Sequence, residues 1–168
     1  MQNILIQYGQ EIAKKYKNER RFLKLEDLTN LKDIILSFEI PHTHYEIVER
    51  FHTNDNYNLK WHIDNQQLQK HKIDKLTHDL EIIYENEKYK YGLWTQGNSP
   101  TYTAVIYLTS DFEGGELCFV DFSVKPQKGD VIIFNSKEVH KVNPLKSGTR
   151  NCYVVKFYGV SPPCDGFS

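Results

Sequence analysis

A surplus of charge of either sign is missing from this chain: 21 Lys and Arg against 22 Asp and Glu leave a formal net charge of −1 over 168 residues. Such a balance gives no electrostatic reason to bind a nucleic-acid backbone or an anionic membrane, and neither partner is expected. Cysteine is scarce. Cys118, Cys152 and Cys164 are odd in number and have no CxxC spacing, so they read as buried or incidental thiols in a reducing compartment. Long apolar runs are absent too. No segment approaches the ~18 apolar residues of a membrane helix, and Ile4-Leu5-Ile6 is too short for a signal-peptide core. The expectation is a soluble, cytoplasmic protein. Neither an internal repeat, a low-complexity tract nor a linker divides the chain, which is long enough for one domain to bury a core without disulfides or a structural metal.

Aromatic residues are plentiful, at 13% with 11 Tyr and 9 Phe, which suits a β-rich core. From residue 102 onward short apolar runs alternate with Gly- and Pro-containing turns at roughly ten-residue spacing, the pattern of an antiparallel sandwich or barrel. Thr103, Val105 and Tyr107 share one face of a strand, and Tyr102, Ala104, Ile106 and Leu108 the other. Gly114-Gly115 permits a tight bend or a close backbone approach. Pro126 to Gly129 turns into a strand over Asp130–Phe134, and a last strand spans about Asn151 to Tyr158, before Pro162-Pro163.

Upstream, Leu5, Tyr8, Ile12 and Tyr16 form a loose helical stripe. Leu28, Leu31, Ile35 and Phe38 predict a helix over 26–40, stopped by Pro41. Both helices have an apolar face to lay on the outside of the sheet. A strand is predicted over 45–51 and a turn at 53–56. The run Leu59–Asp64 alternates, with Leu59, Trp61 and Ile63 on the core face and Lys60, His62 and Asp64 on the other. Residues 65–101 are ambiguous. Ile73, Leu76, Leu80 and Ile83 allow a helix, Leu80–Tyr84 would serve as a strand, and the segment from Tyr89 reads as a loop or hairpin at the mouth of a site.

His62 and Asp64 on one strand face lie about 7 Å apart along the backbone, close enough to converge on one ion. His140 is the natural third ligand, and two His with one carboxylate is the set used by non-haem Fe(II) oxygenases. Arg150, ten residues after His140 and past a turn at Gly148, suits bidentate capture of a carboxylate. Each piece has a plainer reading: HxD is a common tripeptide, a lone His after a loop is usually a surface residue, and a lone Arg is usually half of an ion pair. Their joint order is harder to produce by accident. His42-x-His44 followed by Glu49 imitates a cupin metal motif, but Leu36 and Asn56 stand where that motif has glycines, so both His read as solvent-side residues. His71 and His78 read as surface, while His52 ends a strand pointing towards the candidate site.

Trp61-His62-Ile63-Asp64-Asn65, Tyr102–Leu108, Phe112-Glu-Gly-Gly-Glu-Leu117, Pro126-x-x-Gly129-Asp130-x-x-x-Phe134, Val139-His140-x-Val142-x-Pro144 and Gly148-Thr-Arg150 together resemble the Fe(II)/2-oxoglutarate-dependent dioxygenases. The resemblance is to their prolyl-4-hydroxylase-like branch and covers about residues 45 to 160. It implies a mainly β fold with flanking N-terminal helices, a double-stranded β-helix or jelly-roll. One domain would span 1–168, with helical support over about 1–41 and a jelly-roll core over about 45–160. By resemblance His62, Asp64 and His140 would hold Fe(II), and Arg150 with Tyr107 would bind the far carboxylate of 2-oxoglutarate. Dioxygen would be the other co-substrate and ascorbate a candidate reductant. The implied reaction hydroxylates an unactivated C–H bond, first of all on a peptidyl proline, so a protein or peptide substrate is expected. Two alternatives stand beside it. One is oxidative demethylation of alkylated nucleic acid, whose enzymes carry a second Arg where this chain has Lys156. The other is a catalytically silent jelly-roll that binds a ligand.

Overall fold

The structure, a computed structural model, describes residues 2–64, 79–84, 87–92 and 100–159. Two antiparallel sheets face each other. The larger is centred on β6 (Tyr102–Tyr107), flanked by β10 (Asp130–Asn135) and β12 (Leu145–Tyr158). β1 (Arg21–Lys24) and β2 (His44–Thr53) form its two edges, and β7 (Phe112–Gly114) pairs with the first part of β12. The smaller sheet runs β3 (Leu59–His62), β11 (His140–Val142), β8 (Leu117–Phe119), β9 (Ser123–Val124). The strands β4 (Asp79–Tyr84) and β5 (Glu87–Gly92) make a separate hairpin. This is the double-stranded β-helix that the resemblance implies.

The strict alternation in β6 explains how the larger sheet serves two cores. Val105 and Tyr107 point between the sheets, where they join Leu117, Phe119, Ile132, Phe134, Val142 and Cys152. Ala104 and Ile106 point outward with Val131, Ile133, Val155 and Phe157. That outer face is covered by α2 (Leu31–Ser37) through Ile35, with Phe38 and Ile40 just beyond the helix. Burying Ile35 and Phe38 contributes roughly 1.5–3 kcal/mol each. The other helix, α1 (Gln2–Tyr16), buries Ile12 and Tyr16 and comes so near Val120 and Val139 that a Cβ at Gly9 would sit 2.3 Å from Val120 Cγ2. The side chains of Leu5 and Tyr8 lie outside those described. None of the described helices is long and apolar enough to cross a membrane.

Three local expectations need correction. The helix predicted over 26–40 begins only at Leu31, because Asp27 takes the Thr29 N–H and hydroxyl at 2.9 and 2.7 Å in a turn and Asn30 caps the helix. Gly148 is not a turn between strands. It is a left-handed residue (φ +87°) inside β12, which begins at Leu145 rather than near Asn151. The register of β3 with β11 shifts between Leu59 and His62, so both line the inter-sheet cavity, while Trp61 lies under the Lys141 ammonium at 4.8 Å. β3 therefore has no single core face made of Leu59, Trp61 and Ile63, and it ends at His62, leaving Asp64 beyond the strand. Of the two readings open for Leu80–Tyr84, the strand is the one found, as an arm of the hairpin. Ile73, Leu76, His71, His78, Pro162, Pro163 and Cys164 lie outside the described residues.

Candidate active site

His62 closes β3 and His140 opens β11, and the two are partners in the ladder with ring centroids 4.3 Å apart. Each Nδ1 meets the carbonyl two residues upstream, Lys60 O at 2.7 Å for His62 and Glu138 O at 2.8 Å for His140. A carbonyl only accepts, so Nδ1 carries the proton in both rings and Nε2 is left with its lone pair. Both Nε2 atoms face one oxygen of Asp64, with Oδ1 3.4 Å from His62 and 3.3 Å from His140. The other oxygen, Oδ2, accepts from the Thr103 hydroxyl at 2.7 Å, and Thr103 is hydrogen-bonded in turn to Ser136 at 3.0 Å. The Asp64 N–H donates to Ser136 O at 2.9 Å, which fixes the turn that brings the carboxylate back to the rings.

Three electron-rich atoms turned towards one point repel unless a cation sits among them. Burial pushes the Asp64 carboxyl up, but the facing His140 and His62 rings outweigh it and hold it well below the usual range. Burial lowers His62, and the Asp64 carboxylate more than restores it. The same point suits a metal ion. Among the described residues, His62, Asp64 and His140 are the grouping whose ligand atoms all lie within 4.8 Å of one another.

These side chains line a cavity of about 250 Å³ between the sheets. Further along the same cavity lies Arg150, 2% exposed. Its Nε donates to Gly115 O at 3.2 Å, one terminal nitrogen to Tyr107 Oη at 3.3 Å and the other to Cys152 Sγ at 3.7 Å. No carboxylate of the described residues reaches it. A buried guanidinium with only neutral neighbours is incomplete, and an incoming anion would complete it. Because Arg150 donates to Tyr107, the phenol proton stays available to the cavity, and burial raises the phenol far above its usual range, so it remains protonated. Burial likewise raises the Cys152 thiol, against the lowering effect of Arg150.

Gly115 explains the double glycine of the sequence. Its φ is +66°, and a Cβ there would lie 2.9 Å from Arg150 Cδ. The Arg150 side chain runs across a surface that only glycine leaves clear.

The five residues singled out from the sequence thus line one cavity, and the imitated cupin motif does not. His42 hydrogen-bonds Ile40 O at 2.6 Å and packs edge-on to Phe157, on the outer face, while His44 stacks on Tyr158. His52 is absent from the cavity lining. It bonds Asp55 at 2.8 Å and stacks on Tyr57, whose own ring does line the cavity beside Arg150. Sequence reasoning missed Tyr57, which follows a polar turn and carries no periodic signal. It also missed the Thr103 bond to Asp64, although Thr103 stood on the same predicted face as Tyr107.

The structure resembles that of a Pseudomonas putida prolyl-4-hydroxylase, at 13% identity and TM-score 0.53, covering 95% of this chain and 88% of that one. A viral collagen prolyl hydroxylase from Paramecium Bursaria Chlorella virus-1 is also similar, at 16% identity and TM-score 0.49, covering 95% and 87%. At these identities the likeness speaks for the fold. No curated protein sequence matches the chain. Residues 47–158 match the family of the 2OG-Fe(II) oxygenase superfamily. That match runs from within β2 to the end of β12 and takes in every side chain of the cavity, and by it the chain belongs to the 2OG-Fe(II) oxygenase superfamily.

Proposed function

We propose that this protein is an Fe(II)- and 2-oxoglutarate-dependent dioxygenase that hydroxylates an unactivated C–H bond, with a peptidyl proline as its substrate. The observation that carries the reading is the convergence of two Nε2 atoms and one carboxylate oxygen on a single point, with their second nitrogens and second oxygen already engaged. Two imidazoles and one carboxylate on one side of an ion leave its other positions open, as ferrous oxygenase chemistry requires. When bound, iron, 2-oxoglutarate and dioxygen would supply the oxidising power, with succinate and carbon dioxide as by-products.

The chain's own groups bind and position. His62, Asp64 and His140 would hold the metal, with Thr103 fixing the Asp64 rotamer. Arg150 and the Tyr107 hydroxyl would receive the far carboxylate of 2-oxoglutarate, a charge-assisted pairing in a dry site. Val105, Leu117, Phe134 and Val142 wall the cavity with hydrocarbon and keep bulk water from the reacting atoms. The proline assignment draws support from the fold shared with the Pseudomonas putida enzyme, whose description names prolyl 4-hydroxylation.

The test is anaerobic addition of Fe(II) and 2-oxoglutarate to the purified protein, watching for the visible charge-transfer band of chelated 2-oxoglutarate. The band is expected in the wild type and lost in Asp64→Ala. Proline-containing peptides, followed by mass for gain of one oxygen, then test the substrate. A folded protein that never shows the band would refute the reading.

A further inference from the structure

The cavity is built with more positive charge than the proposed metal and co-substrate need. Among the described residues, its lining carries three permanent cations, Arg50, Arg150 and Lys156, against one carboxylate, Asp64. Ferrous ion and the 2-oxoglutarate dianion cancel each other, so the loaded cavity retains that excess. Arg150 is committed to the co-substrate, and Arg50 lies beside the same end, opposite Cys152 in the ladder.

Lys156 stands at the other end. It is half-buried and shares the inward face of β12 with Arg150, Cys152 and Val154. Its ladder partner on β6 is Thr103, the residue that holds Asp64, and it lines the same cavity as His62. On the other side its ladder partner is Glu46 of β2. No hydrogen bond or ion pair from the described residues engages the ammonium. A cation on a cavity wall, next to the proposed reaction centre and outside any ion pair of the described residues, is placed to meet an anion brought in from outside.

We propose that the substrate is an acidic peptide, one carboxylate of which is received by Lys156 beside the residue to be hydroxylated. This rests on the oxygenase reading above and narrows its substrate class. A lysine offers a compact point charge, which suits a single carboxylate oxygen and not a fork-on-fork pairing. The chain's lack of a basic surplus favours a peptide carboxylate over a nucleic-acid phosphate.

The test uses the full chain with Fe(II) and 2-oxoglutarate under anaerobic conditions and three labelled synthetic peptides. They are identical around a central proline except for one neighbour: Asp, Asn or Lys. The Asp peptide should bind about ten-fold more tightly than the Asn peptide, and the Lys peptide most weakly. Lys156→Met should erase the Asp preference, Lys156→Arg should keep most of it, and added salt should shrink it. Equal binding of the Asp and Asn peptides, or an Asp preference that survives in Lys156→Met, overturns the proposal. If the charge-transfer band forms and none of the peptides binds, the proposal falls while the oxygenase reading stands. If the band is absent from folded protein, the oxygenase reading falls and takes this one with it. Lys156-dependent binding of a short oligothymidylate in preference to the Asp peptide would overturn the peptide assignment.

Discussion

His62 and His140 face each other across a two-strand ladder, and each ring is fixed by the carbonyl two residues earlier in its own chain. Register therefore sets the separation of the rings, and the two carbonyls set which nitrogen is left free. A hydrogen bond to a main-chain carbonyl asks nothing of the side chains at Lys60 or Glu138.

Asp64 completes that pair from outside the strand, so its aim depends on Thr103. Thr103→Val should lower Fe(II) or Mn(II) affinity by about 10–100-fold with the fold intact, whereas Asp64→Ala should abolish specific binding. Replacing His42 and His44 together by Ala should leave the affinity unchanged, since both rings lie away from the cavity. A metal titration on each variant decides this, and loss of metal in the double variant would count against the site.

Arg150→Ala should weaken 2-oxoglutarate by more than about ten-fold while metal binding holds, because charge-assisted hydrogen bonds are worth about 1.5–3 kcal/mol each. Tyr107→Phe removes one neutral donor and should cost about 0.5–1.5 kcal/mol. Co-substrate titrations at saturating metal separate the two. An unchanged 2-oxoglutarate dependence in Arg150→Ala would remove its proposed role.

Gly115→Ala should hurt twice. The φ of +66° is strained for alanine, costing about 1–3 kcal/mol. The new methyl, 2.9 Å from Arg150 Cδ, should also push the guanidinium away and weaken 2-oxoglutarate binding. Urea unfolding and co-substrate titration would show both losses together. Full co-substrate affinity in the variant would mean that Arg150 does not need this passage.

Arg20 and Glu138 form an ion pair removed from water, with side chains 4% and 0% exposed, and Arg20 also bonds Asp121 at 2.6 Å. Glu138 Oε2 has no partner among the described residues. Arg20→Met would strand a buried carboxylate and should destabilise the fold by about 3–5 kcal/mol. Adding Glu138→Leu should recover most of that loss in urea unfolding. If the single variant costs no more than an exposed substitution, about 0.5 kcal/mol, the pair does not act as a buried one.

Alternation made β6 legible: Val105 and Tyr107 were placed on one face from sequence, and that face is the inner one. In β10 the existence of the strand was readable but not its faces, because it is apolar on both sides. His62, Asp64, His140 and Arg150 were legible as a set because each lies at a fixed place relative to a turn motif. Less was readable where irregularity decides the outcome. The register shift in β3, which turns Leu59 and His62 to the same side, leaves no mark in composition. β1 was missed because Arg21–Lys24 is short and polar, with Phe22 50% exposed, and becomes a strand only through pairing with β10. The carbonyls of Lys60 and Glu138 could not be found from side-chain identity at all.

The strand β12 pairs with β2, β6 and β7 and also carries Arg150 and Lys156. During synthesis His62 and Asp64 leave the ribosome long before His140, and β12 comes after that. Under the proposed function, a nascent chain short of β12 would therefore have no place for 2-oxoglutarate, and it would have no partner for the β2 edge either. Under the proposed function, oxidative chemistry could not begin on a half-made protein, because the last long strand both closes the sheet and admits the co-substrate.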